Sequence, residues 1–174
     1  MKKSDIIIMP EYFDRYINLV DDVNLKDALN INGIGLLNNE KANLEKLEDK
    51  VYEPGKWTVN DILQHIIDTE RIFTYRALRF ARNDNTVLPG FDENTYAAEA
   101  NASKRTLDSI IQEFDVTRQS SLCFFNSLTE DQLLRTGICF NKNISVLAIG
   151  FTLAGHLIHH LNIIRERYYP LIVI

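Results

Sequence analysis

Near its carboxyl end the chain carries three of its four histidines in one apolar stretch, Gly155-His156-Leu157-Ile158-His159-His160-Leu161-Asn162-Ile163-Ile164-Arg165-Glu166-Arg167-Tyr168. A helix turns about 100° per residue, so His156 and His160 lie within about 40° of each other, one turn apart, and both imidazoles reach a single point. This is the spacing of a two-histidine metal clamp, and it constrains the fold, because a clamp inside a bundle must sit on the buried face of its helix. Ile149, Leu153, His156, His160, Ile163 and Arg167 follow a four-three alternation, with Leu157, Leu161 and Ile164 beside them. The two histidines therefore stand where core residues would. His159 falls with Thr152, Gly155, Asn162 and Glu166 on a more polar strip, which gives it an outer role, supporting a ligand or bordering solvent.

Two histidines cannot hold a catalytic metal alone, and His65 is the only histidine left to complete the set. It too lies in a helical apolar stripe, with Ile62, Ile66, Thr69, Ile72 and Phe73. Taken alone, a histidine on such a face is more often a hydrogen-bonded core residue than a ligand. Three on inward faces are harder to explain that way. Burying three unpartnered imidazoles costs on the order of a few kcal/mol each, whereas one divalent cation satisfies all of them.

The chain of 174 residues, 45% hydrophobic and 25% charged, is of a size for a single domain spanning residues 1–174. A net charge of -5 without a basic run argues against binding through nucleic-acid phosphates. No membrane segment is expected: Ile144 to Ile158 is interrupted by Ser145, Thr152 and His156 and reads as too short and too polar to span a bilayer. The apolar part of the amino terminus stops after Ile6-Ile7-Ile8-Met9 with no small-residue cleavage site, so the start reads as cytoplasmic. Cys123 and Cys139 lack CxxC spacing and read as reduced core cysteines.

Helix signals dominate. Pro10-Glu11 opens a short helix through Val20, and Asn24 caps a run from Leu25 to about Leu47 that Asn30-Ile31-Asn32-Gly33-Ile34-Gly35 weakens in the middle. Thr58 with Asp61 starts a helix from Val59 to about Arg82 in capping-box manner. A long connection through Leu88-Pro89-Gly90-Phe91-Asp92 follows, of the kind that builds a lid or pocket wall. Ser103 caps a helix to about Leu128, Thr129 caps a short helix ended by Gly137, and Ser145 caps the last helix, Val146 to Tyr168. No strand pattern interrupts these helices. The expected architecture is all-α, a four-helix bundle with one long crossover connection.

Gly55-Lys56-Trp57-Thr58, His65 through Arg71, Arg79 through Asp84, Pro89-Gly90-Phe91-Asp92, and Gly155-His156 through Tyr168 together resemble the DinB-like superfamily, in its YfiT-like branch, over nearly the whole chain from about Tyr12 to Tyr169. The resemblance implies a four-helix bundle, often a homodimer, with a divalent metal, commonly zinc or nickel, on three histidines. By position these are His65, His156 and His160, the trio that helical periodicity brings together. It also implies an activity on a small molecule, either hydrolysis or transfer of a low-molecular-weight thiol.

Three neutral imidazoles leave a coordination position open, as catalytic rather than structural sites do, and suit zinc, nickel, copper or iron(II). Asp68 is the better placed of two acids after His65 to support the site, its alternative being a solvated ion pair. Trp57 either packs the turn into the histidine-bearing helix or walls a pocket. Arg79 and Arg82 stand ready to meet an anionic substrate at the pocket rim, or serve only as cations at a helix end. Tyr168 points its hydroxyl toward the site or packs in the core. A non-catalytic alternative is a stress-response or ligand-binding module in which the metal only stabilises the bundle. There is no GxSxG and no cysteine near a histidine in sequence to offer nucleophilic catalysis instead.

Overall fold

The computed structural model describes residues 1–84 and 86–172. Its helices are α1 (Asp14–Ile17), α2 (Leu25–Ile31), α3 (Ile34–Glu45), α4 (Val59–Ala81), α5 (Glu93–Ala100), α6 (Leu107–Asn126), α7 (Glu130–Leu134) and α8 (Val146–Ile163). The helical path of α8 continues through a π turn at Ile164–Tyr168 and a 3-10 turn at Tyr169–Leu171. A broken first helix (α2 and α3), α4, α6 and α8 make the four-helix bundle, with α4 packed on both α6 and α8. The connection from α4 to α6 is the long crossover, and α5 lies within it.

Start signals account for most of these boundaries. The Thr58 hydroxyl accepts from the Asp61 amide, and the Asp61 carboxylate accepts from the Thr58 amide at 3.0 Å. Thr129 and Gln132 repeat this reciprocal cap at α7, and Ser145 accepts from the Ala148 amide to start α8. Asn24 stands at the start of α2 but its side chain makes no cap hydrogen bond, and three further expectations fail. The cap of α6 is Thr106, whose hydroxyl accepts from the Ser109 amide; Ser103 lies in a separate 3-10 turn, Ala102–Lys104. The Pro10–Val20 helix shrinks to α1, because Tyr12 takes a left-handed φ of 76° and interrupts the chain. Gly137 ends no helix: it belongs to β1 (Thr136–Cys139), paired antiparallel with β2 (Lys142–Ser145) so that Gly137 faces Ile144. A Cβ on Gly137 would lie 2.2 Å from the Phe80 ring, so the strand packs flat on α4 only with glycine there.

The turn of this hairpin is Phe140-Asn141, with φ of 50° and 58°, the type I′ form whose twist matches the flanking strands. Phenylalanine is an unusual choice for it. The reason lies in where the ring goes, which is toward the cavity described below.

α8 is the spine. Every residue from Val146 to Leu157 is buried, so this part has core on all sides rather than on one stripe. Further along, Leu157, Leu161, Ile164 and Tyr168 stay buried, while His160 and Ile163 are half-buried and Arg167 is exposed. The face bearing His156, His160 and Arg167 thus runs out of the core into open space. By length and composition the run Val146–Leu171 reaches what a bilayer-crossing helix needs, contrary to the reading of Ile144–Ile158 as too short and too polar. The helix runs on past Ile158, and the bundle supplies the apolar surroundings for most of it. Of the two cysteines Cys139 is buried, but Cys123 is exposed on α6 rather than in the core.

α1 meets α8 at Gly155. A Cβ there would stand 2.0 Å from the carbonyl oxygen of Tyr16, a backbone atom that cannot swing aside. Gly155→Ala is expected to cost about 2–3 kcal/mol and to lower the thermal midpoint by roughly 5–10 °C. An unchanged midpoint on calorimetry would mean that α1 is not seated on α8 in this way.

Candidate metal centre

His65 comes from the second turn of α4, and His156 and His160 from successive turns of α8. Ring centroids are 5.1 Å apart for His65 and His156, 5.0 Å for His65 and His160, and 4.5 Å for His156 and His160. One nitrogen from each ring lies within 4.8 Å of the other two. The Nε2 atoms of His156 and His160 are 3.0 Å apart. Bonds of about 2.0–2.1 Å to a tetrahedral centre place neighbouring nitrogens about 3.3 Å apart, so this pair, hydrogen-bonded to each other here, is only a few tenths of an ångström closer than two ligands on one ion.

Electrostatics keep the trio neutral. Burial pulls the His65 imidazole down to about 4, with the Glu93 carboxylate working the other way. Burial also holds His156 well below the ordinary range, helped by His160, His65, His159 and the Arg118 guanidinium, and holds His160 there with His65 and His159 adding to it. Near pH 7 each ring is therefore neutral and has one lone pair to offer a cation, which would replace the hydrogen bond between His156 and His160. The donor set fits a divalent transition metal.

The trio forms one side of a cavity of about 190 Å³ walled by Tyr12, Phe13, Tyr16, Trp57, Phe73, Phe91 and Phe140. Thr69, Thr152 and Glu93 supply its remaining polar lining. The Trp57 ring lies 4.9 Å from His65, which puts it on the cavity wall as well as in the turn before α4. Thr69 Oγ1 is buried and has no hydrogen-bond partner among the described residues, a hydroxyl left to a ligand. Tyr12 and Phe140, two of the walls, both hold left-handed φ. Strain of this kind, of order 1–3 kcal/mol per residue, persists where surrounding structure and function over-determine it.

Other expected site residues lie elsewhere. Asp68 accepts from Gln64 Nε2 at 3.1 Å and lies 3.6 Å from Arg71, both on α4, with Glu113 of α6 and Arg105 just before that helix in its field, and it does not line the cavity. Three residues past His65 is about 60° off its direction, whereas four residues, at Thr69, is about 40° to the other side, and it is that side which opens on the cavity. Arg79 pairs with Asp84 and donates to the Tyr75 hydroxyl at 2.7 Å, and Arg82 is exposed at the end of α4. Both sit roughly 20–25 Å along the helix from His65 and cannot greet a substrate there. His159 is half-buried, its ring 5.1 Å from Tyr16 and 5.2 Å from His160, beside the trio but not in it. The Tyr168 hydroxyl donates to the Trp57 carbonyl at 2.6 Å, so it holds Trp57 from behind.

Phe91 walls the cavity from the connection that the sequence marks as a lid or pocket wall, whereas nothing in the sequence singles out Glu93 or Phe140. Asp92, whose carboxylate accepts from the Thr95 amide at 2.7 Å, is a cap followed by an alanine-rich run, the signal from which α5 and the placement of Glu93 could have been read.

Comparison with known proteins gives the chain's family. Residues 40–164 match the model of the DinB superfamily. A curated relative from Oceanobacillus iheyensis, named provisionally as a metal-dependent hydrolase, is 27% identical over 114 residues, covering 64% of this chain and 65% of its own length. The chain thus spans just under two thirds of that relative. Among solved structures, YfiT from Bacillus subtilis, described as a probable metal-dependent hydrolase with an unusual four-helix bundle topology, superposes with a TM-score of 0.66 over 92% of this chain and 88% of its own, at 16% identity. With more than half its length matched by the family model and its fold shared with YfiT, the chain belongs to the DinB superfamily.

Proposed function

We propose that this protein is a metal-dependent enzyme that binds a divalent transition metal, zinc or nickel, on His65, His156 and His160 and acts on a small, largely apolar molecule by hydrolysis or by transfer of a low-molecular-weight thiol. The observation that carries it is the convergence of three neutral imidazoles at one wall of an aromatic cavity. When bound, such a cation acts as a Lewis acid and makes water or a thiol nucleophilic near neutral pH. The chain's own residues do the rest. Trp57, Phe73, Phe91 and Phe140 bind apolar surface and exclude water, and Trp57 packs on His65 to fix its ring. Thr69 presents a hydroxyl to a polar atom of the ligand, and Glu93 at the rim accepts a proton or a hydrogen bond.

Turnover tests this reading. Metal-loaded wild type is offered simple esters, then electrophiles together with glutathione or bacillithiol, alongside His65→Ala. The expected result is turnover in one set that falls by about 10³-fold or more in the variant, with the thermal midpoint lowered by no more than about 5 °C. Loss of folding in the variant with no turnover in the wild type would instead give the metal a structural role.

A further inference from the structure

The α8 face that bears the trio continues past it. His160, Ile163 and Arg167 line a second cavity, of about 270 Å³, and His160 and Trp57 line both cavities, so Trp57 is the partition between them. The two have opposite polarity. Glu93 is the one formally charged side chain lining the aromatic cavity, whereas Lys56 and Arg167 line the second and no carboxylate does.

Both cations gather on Tyr52. Lys56 Nζ is 5.8 Å and the Arg167 guanidinium carbon 5.4 Å from the centre of its ring, and Arg167 donates to its hydroxyl at 3.1 Å. The Tyr52 ring stands edge-on to buried Tyr168 at 5.1 Å, and Tyr168 holds the Trp57 carbonyl. The platform under the two charges is thereby tied to the partition. Glu53 and Glu166 contribute to the field at Arg167, but among the described residues neither Lys56 nor Arg167 has a carboxylate within 4.0 Å.

We infer that the second cavity is a carboxylate-binding subsite, in which Lys56 and Arg167 hold the anionic end of a small ligand whose other end reaches His160 beside Trp57. A guanidinium fork and a nearby ammonium suit the two oxygens of a carboxylate, and a charge-assisted contact of this kind outweighs a neutral one about twofold. The aromatic cavity, with its single acid, disfavours the same group. A ligand spanning both is therefore oriented, apolar end beside His65 and carboxylate beside Arg167. What happens to it at His160 rests on the function proposed above; its binding does not.

Trp57 is the only tryptophan, so indole emission reports on the partition directly. Purified protein is titrated with hexanoate and with its neutral isostere hexanamide, then repeated with the K56Q/R167Q double variant. Hexanoate is expected to give a saturable change in emission, with hexanamide binding roughly tenfold more weakly and the double variant reducing hexanoate to the hexanamide level. Raising salt from about 50 to 500 mM is expected to weaken only the wild-type response to hexanoate. Equal binding of the two isosteres, or wild-type affinity for hexanoate in the double variant, overturns the subsite, the second outcome including direct ligation by a metal on the trio. If esters and thiols are not turned over yet hexanoate binding still depends on Lys56 and Arg167, the proposed activity fails and the subsite stands.

Discussion

Replacing His156 or His160 by alanine is expected to leave a folded protein that no longer retains metal. Wild type purified without added metal and without a polyhistidine tag should carry close to one transition-metal ion per chain by elemental analysis, and either variant a small fraction of that. The magnitude follows from the ligand count. A zinc site contributes about 10–16 kcal/mol of binding free energy at neutral pH; with three imidazoles sharing it, loss of one weakens affinity on the order of 10³-fold. The bundle should survive because the imidazoles stabilise it little without the ion. Burial already holds both histidines neutral with few partners, and His160 is only half-buried. Far-UV circular dichroism should be unchanged. A folded wild type that is free of metal and takes up neither zinc nor nickel would make the trio core histidines and end the enzyme proposal.

What the sequence reveals about this molecule depends on how far apart the interacting residues lie in the chain. Caps are local, so Thr58, Thr129 and Ser145 could be read directly, and all three accept the expected amide hydrogens. The pairing of His156 with His160 is equally local. Ser103 misled because two hydroxyl residues, Ser103 and Thr106, precede the same apolar run, and only the turn after Asn101, with its φ of 52°, decides between them. The hairpin escaped because its strands have four residues each and its turn uses Phe140-Asn141 rather than a glycine pair.

Two of the cavity walls were hidden for a related reason. Tyr12 and Phe140 reach the cavity by holding a backbone conformation that local propensity disfavours, and the surrounding aromatic contacts maintain it: Phe140 lies 6.3 Å from Phe13, 6.4 Å from Phe73 and 6.2 Å from Phe91. Behind these rings sits buried Arg76, its guanidinium 4.9 Å from Phe140 and 5.0 Å from Phe73, donating to the Pro89 carbonyl at 2.9 Å and to Cys139 at 3.1 Å. One side chain thus joins α4, the crossover and the hairpin. Apart from Phe73, three residues away on α4, none of these partners is near it in sequence, so no spacing rule could have shown the assembly.

The largest stability effect is expected at Arg118. Glu70 and Arg71 of α4 both pair with α6, Arg71 with Glu113 and Glu70 with Arg118. The second pair is fully buried. Arg118 on α6 donates Nε and one terminal nitrogen to the Glu70 carboxylate of α4 at 2.8–3.1 Å. Its other terminal nitrogen reaches the carbonyls of Leu29 and Asn32, where the helix-poor stretch around Gly33 breaks the first helix into α2 and α3 and leaves carbonyls without amides. A longer contact of 3.4 Å reaches the Leu153 carbonyl of α8. All four sides of the bundle therefore meet at one guanidinium. Arg118→Met keeps the volume but strands a buried carboxylate and two carbonyls, and should cost about 3–5 kcal/mol, or roughly 10–15 °C in thermal midpoint. Adding Glu70→Leu removes the stranded charge and should recover about half of that, with the rest still missing because Leu29 and Asn32 keep their unpaired carbonyls. A single variant within about 1 kcal/mol of wild type, or a double variant that costs the sum of the two singles, would show that the pair does not couple the helices. The expected pattern of a large single loss and a partial recovery follows only if the break in the first helix and the charge on α4 are held by the same side chain.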